Sequence, residues 1–199
     1  MARRDKRSAS TGSVIRESPV PAGPRPSRRP VFRFVLTFAG CMAIYYVLSS
    51  LSLFHARVFP AFLKGNAIVA ARVLEGVGQG PVEANGSAVC SQRFSVEVAR
   101  GCDAIEPIAL LVSAILASPM SIRARLAGMA AGALCLMAMN LMRIVTLFLF
   151  GVYWPAAFHV MHVDVWQVIF ILLAVAIWLA WAWWALGRES VARARVQHA

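Results

Sequence analysis

Four apolar stretches dominate this chain: Val31 to Phe54, Cys102 to Ala117, Leu126 to about Phe150, and Val165 to Leu186. About twenty apolar residues cross a hydrocarbon core of roughly 30 Å, and a backbone in that core must satisfy its own hydrogen bonds. Such a chain has little choice but to form a helical bundle in a membrane. Composition agrees, with 59% hydrophobic and 15% charged residues against about half and a quarter in soluble domains. The expected fold is mainly α: a polytopic membrane bundle of about four transmembrane helices, with an outer amphipathic helix and a short β-hairpin.

The net charge of +11 resembles a nucleic-acid signal until the charges are placed. Arg3, Arg4, Lys6, Arg7, Arg16, Arg25, Arg28 and Arg29 all precede the first apolar run. A basic tail beside a span marks cytoplasmic retention and attraction to anionic lipid. No basic fold interleaved with aromatics is evident, so nucleic acid is not the expected partner. Residues 1–30, rich in proline and serine, read as a disordered basic tail. Residues 31–186 form the membrane domain, and residues 187–199, with Arg188, Arg193 and Arg195, a second basic cytoplasmic tail. Arg123 and Arg125 mark another cytoplasmic turn, which puts the two longer loops outside.

The first outer loop spans His55 to Gly80, where Val58, Phe59, Phe62, Leu63, Ile68, Val69, Val73 and Leu74 recur at helical spacing. The resulting amphipathic helix either lies on the outer leaflet or packs on the other spans. Gly76 to Gly86 carries turn residues, and Ser87 to Val98 alternates loosely through Val89, Phe94, Val96 and Val98, which predicts a short β-hairpin. Gly151 to Asp164, with Pro155, His159, His162 and Asp164, reads as a second outer loop. Gly128 and Gly132 form a small-xxx-small pair that permits close helix contact.

The four cysteines lack CxxC spacing. Cys41 and Cys135 lie inside apolar runs and read as small buried residues. Cys102 is different, because it sits where a polar stretch meets an apolar run. At about 1.5 Å per residue it lies roughly 24 Å from the cytoplasmic end of its span, and Arg143 lies roughly 26 Å along the antiparallel neighbour. The two therefore share an outer layer, which His162 enters from the mouth of the last span. A thiolate is favoured by a neighbouring cation and a helix N-terminus. Arg143 supplies fixed charge and donors for a thiolate or an oxyanion, and His162 can carry a proton to and from the reacting atoms. Together the three suit acyl transfer through a thioester.

The surrounding polar residues have narrower expected roles. Asn140, one turn before Arg143, orients it or joins neighbouring spans by hydrogen bonding. Asp103 and Glu106 are expected to partner Arg100 or Arg143. His159 is the second histidine of the site region, and no third metal ligand is in reach of the His159 and His162 pair. Two rival readings stay open. One is a non-enzymatic membrane subunit or small transporter with Arg143 and Asn140 lining a polar interior. The other is a thiol oxidoreductase or disulfide-stapled anchor using Cys90 and Cys102.

The residues Phe94-Ser95-Val96-Glu97-Val98-Ala99-Arg100-Gly101-Cys102, Asn140-Leu141-Met142-Arg143-Ile144 and His162-Val163-Asp164-Val165-Trp166-Gln167 together resemble the exosortase/archaeosortase family, and within it the exosortase H subgroup. The resemblance covers roughly residues 31–186. It implies a membrane cysteine protease/transpeptidase with Cys102, Arg143 and His162 as its catalytic residues and no cofactor. It also implies a bacterial inner-membrane location with the site on the outer face. Its substrates would be exported proteins with a C-terminal sorting tail made of a short motif, an apolar span and a basic cluster. In the family a small or uncharged polar residue and then glycine follow the cysteine, whereas Asp103 and Ala104 stand here. A carboxylate beside the thiol opposes thiolate formation.

Overall fold

The computed structural model describes residues 29–98 and 101–197. The expectation of a disordered tail over residues 1–30 falls almost entirely outside them, as does Arg100. The described chain is mainly helical, with one small antiparallel sheet.

Among the described residues, three helices are long and apolar enough to cross a membrane: α1 (Arg29–Ser50), α4 (Ile122–Tyr153) and the continuous run Pro155–Arg188. This makes the protein a membrane protein by length and composition. The run Pro155–Arg188 comprises α5 (Pro155–Val160), a π-helical turn (Met161–Val165) and the first part of α6 (Trp166–Gln197). No side chain of α1 is buried, and Val31, Phe32, Val35 and Leu36 are all exposed. A helix apolar on every side with so little protein around it is suited to lipid. The remaining apolar helix, α3 (Ile105–Ala117), has 13 residues, about 20 Å by helical rise. It packs against α1, α4 and α6.

Two glycines of α4 explain how close these helices come. A side-chain carbon at Gly128 would collide with the Trp181 ring from α6, whose Nε1 donates to the Ala124 carbonyl at 2.8 Å. One at Gly132 would meet Leu111 of α3 at 2.5 Å. The small-residue pair thus receives side chains from two different helices.

Between α1 and α3 the chain forms a π-helical turn (Phe54–Val58), then α2 (Phe59–Gly76), β1 (Glu83–Asn85), β2 (Ala88–Cys90) and β3 (Ser95–Glu97). Of the two placements expected for the amphipathic helix, packing fits the burial pattern. Leu63, Asn66, Ala67, Ala70, Ala71 and Leu74 are buried, and α2 packs on α4 and on the sheet. Ile68, Val69 and Val73 of the anticipated apolar face are instead exposed. Alanines carry much of the contact because they let α2 lie close to its neighbours.

The anticipated hairpin is the pair β1 and β2, to which β3 adds a third antiparallel strand. Gly86, at φ 63°, opens the two-residue turn between β1 and β2, a position at which only glycine is free of strain.

The segment Gly151 to Asp164, read from sequence as a loop, is almost wholly helical. Pro155 stands at the start of α5, where its missing N–H costs nothing, and the backbone of Trp154 (φ −141°, ψ 64°) separates α4 from α5. The last helix outruns Leu186 and continues to Gln197, so the expected tail from Gly187 is helical over most of its length. Cys135 is exposed and Cys41 partly exposed, so neither is the buried residue the apolar context suggested.

Two buried clusters frame the site. One joins α2 and the sheet to Cys102, Ile144 and Phe148. The other joins Ala104, Leu111, Ile115, Leu147, Trp166 and Phe170. Cys102 and Ala104 belong to different clusters, so the chain at residues 102–104 is held from both sides.

Candidate active site

The sequence segment that delivers Cys102 is not yet helix. Helix α3 begins at Ile105, a correction to the reading that started the apolar span at the cysteine. Gly101 has φ 84° and Ala104 has φ 62°, both in the left-handed region. The Asp103 carboxylate accepts the Ile105 N–H at 2.9 Å, tying off the turn before the helix starts. Ala104 is the only described non-glycine residue with positive φ. Its conformation is one that glycine adopts freely. Ala104→Gly is therefore expected to raise stability by about 0.5–1 kcal/mol, measurable as a higher unfolding temperature in detergent.

Cys102 is 8% exposed. Its sulfur lies 2.7 Å from Nε2 of His162, which the π-helical turn of residues 161–165 presents. A π turn inserts one residue into an α-helix and rotates the phase of the residues beyond it, and such turns recur at functional sites. The His162 ring also sits beside Phe158, with centroids 5.8 Å apart.

Arg143 is buried, at 4% exposure. Its Nη1 donates to the Gly101 carbonyl at 3.0 Å and its Nη2 to the His162 carbonyl at 3.3 Å. Its guanidinium also lies 5.5 Å from the centre of the Phe170 ring. One planar cation thus clamps the backbone beside the thiol and the backbone of the imidazole. The shared depth expected from helix counting is realised as contact.

Burial pushes the Cys102 thiol up from its ordinary range. The Arg143 charge pulls it back, the Asp103 carboxylate adds to the upward push, and a donor from Arg143 opposes it. Asp103→Asn removes the opposing charge yet keeps an oxygen for the Ile105 N–H. The thiol pKa then falls, and the pH at which Cys102 becomes alkylatable by iodoacetamide is expected to move to lower values, read by mass spectrometry across a pH series.

The other anticipated site residues fall elsewhere. Asn140 is fully buried, and neither polar atom of its side chain has a hydrogen-bond partner among the described residues, so it is not bonded to Arg143. Nothing in the structure explains that buried amide. Glu106 accepts a hydrogen bond from Tyr46 Oη at 2.7 Å and so links α3 to α1, while Arg100, one of the two arginines expected to partner it, lies outside the described residues. His159 is exposed on α5, and His162 is the histidine in contact with the thiol. Cys90 is a free thiol 3.1 Å from Ser95 Oγ across the strands, so the Cys90 and Cys102 disulfide is not formed.

Two hollows meet at this site. A cavity of about 260 Å³ is lined by residues 94–98, Cys102, Arg143, Ile144, Leu147, Phe158 and His162. A groove of about 560 Å³ runs on the other side between α1, α3 and α6, past Phe34, Phe38, Leu110, Phe170, Ile171 and Trp178. Arg143 borders both. The strand residues of the first are legible as an alternating stretch just before the cysteine, whereas the α1 residues of the second carry no sequence signal of their own, because they reach the site only through packing. The arrangement provides a nucleophile, a proton carrier in contact with it and a fixed cation. No protein-family model, curated protein or solved structure matches the chain.

Proposed function

We propose that this protein is an exosortase-like membrane cysteine protease/transpeptidase. The observation that carries the proposal is the 2.7 Å contact between Cys102 Sγ and His162 Nε2, with Arg143 bonded to the backbone on both sides of it. In the proposed reaction His162 Nε2 takes the thiol proton as Sγ attacks the scissile carbonyl carbon. The tetrahedral adduct collapses to a thioester, the carbon–nitrogen bond breaks, and the amine leaves with the proton from His162. Water or an acceptor amine then attacks the thioester and releases the thiolate. Burial keeps the thiol protonated at rest, so proton removal belongs to the attack itself, and the Arg143 charge favours the anion that forms.

In this reading α3 is a fourth, short crossing within the shelter of α1, α4 and α6. Arg123 and Arg125 lie at the opposite end of α3 from Cys102, and by the positive-inside bias that end faces the cytoplasm. The thiol then faces outward across a bacterial inner membrane. The apolar groove beside α1 suits the membrane-spanning part of an exported protein's sorting tail, with the scissile peptide just beyond it.

The thioester is the species to trap. The full-length chain in lipid nanodiscs, mixed with a tail-bearing substrate and quenched in acid, is expected to carry an acyl adduct on Cys102 that hydroxylamine removes. An adduct confined to another residue, or processing with no adduct at any cysteine, would overturn the proposal.

A further inference from the structure

The small sheet ends at β3, and residues 94–98 line the same cavity as the thiol. The register fixes where its backbone groups point. Ser91 N–H bonds the Phe94 carbonyl, Val89 lies opposite Val96, and Val98 N–H bonds the Ser87 carbonyl. In an antiparallel ladder, bonded and non-bonded pairs alternate. Phe94, Val96 and Val98 therefore turn their backbone groups toward β2, while Ser95 and Glu97 turn theirs outward. Among the described residues no backbone group pairs with them there.

The side chains divide the same way. Val98 is buried and Val96 half-buried against the core, whereas Ser95 and Glu97 are exposed. That cavity is also lined by Phe94, Ile144, Leu147 and Phe158, together with Cys102 and His162. A free strand edge is a template for another extended chain. A helix cannot use it, because its own backbone groups are already paired.

We propose that the substrate segment to be cut binds as a fourth strand on the outer edge of β3, bonded to the backbone of Ser95 and Glu97, with an apolar side chain in the adjoining cavity. This rests on the cysteine-nucleophile reading above and specifies its substrate: an extended peptide recognised first through its backbone. The strand leads the scissile carbonyl along the cavity to Cys102, where the acyl transfer already described takes place. Because alternate residues of a strand face the ladder, only every second amide of the substrate contributes to binding.

That periodicity can be measured with acetylated tetrapeptide vinyl sulfones of valine and leucine, each N-methylated at one amide in turn. The Cys102 thiolate adds to the vinyl carbon β to the sulfonyl group, the α carbon takes up a proton, and intact-mass and peptide analysis of the full-length chain in nanodiscs reads the rate. Iodoacetamide, which needs no strand pairing, reports the thiolate separately. Methylation is expected to slow labelling about tenfold at alternate amides, the cost of roughly one hydrogen bond, and to leave the intervening amides nearly unchanged. If iodoacetamide modifies Cys102 and the methylation profile is flat, strand addition is wrong and the nucleophile stands. If Cys102 resists iodoacetamide and every peptide, both readings fall.

Discussion

Cys102→Ala is expected to leave a tail-bearing substrate entirely full length, a loss of at least about a thousandfold in processing, since no other group in the site can form the thioester. The change removes one sulfur atom from a site already 8% exposed, so folding should survive, and the variant should still reach the membrane and unfold near the wild-type temperature. Cys90→Ala supplies the contrast. Cys90 lies on the sheet, bonded to Ser95 and not to Cys102, and its loss should cost little. Immunoblots of substrate in cells expressing each variant decide the matter. Equal loss from both would favour a disulfide role, and no loss from either would favour a non-enzymatic membrane subunit.

Arg143 should be nearly as sensitive, for two separable reasons. The guanidinium holds the carbonyls of Gly101 and His162 at 3.0 and 3.3 Å, and it supplies the positive charge closest in effect to the thiol. Arg143→Met removes both, at about 1.5–3 kcal/mol for each charge-assisted hydrogen bond lost. Arg143→Lys keeps a charge, but one ammonium on a flexible stem cannot reproduce a planar fork that reaches two carbonyls. Processing is expected to fall by about a hundredfold or more in both, as when one oxyanion-stabilising donor is lost, with the unfolding temperature lowered most in the methionine variant. Lysine restoring near wild-type rates would show that charge alone suffices and that the clamp is dispensable.

Much of this site is legible in the sequence. Cys102, Arg143 and His162 each sit as a polar residue against an apolar run, and helix rise alone brings the first two to one depth. What helix counting could not supply was phase. The His162 ring reaches the sulfur from a π-helical turn, in a stretch whose proline and histidines resembled a loop, because a proline at the first position of a helix looks the same in sequence as one in a turn. Glu106 illustrates a second limit. Its partner is Tyr46, sixty residues earlier, and only the packing of α1 on α3 makes them neighbours. Ala104 shows a third limit, because nothing in an alanine's sequence context announces its left-handed backbone.

Because the Arg143 guanidinium is a common wall between the pocket at the thiol and the groove beside α1, the two compartments communicate electrically. An apolar guest in the groove displaces water from one flank of the cation, and a charge with less water around it acts more strongly on its neighbours. On the proposed function, arrival of a hydrophobic anchor in the groove would thus sharpen the nucleophile in the pocket.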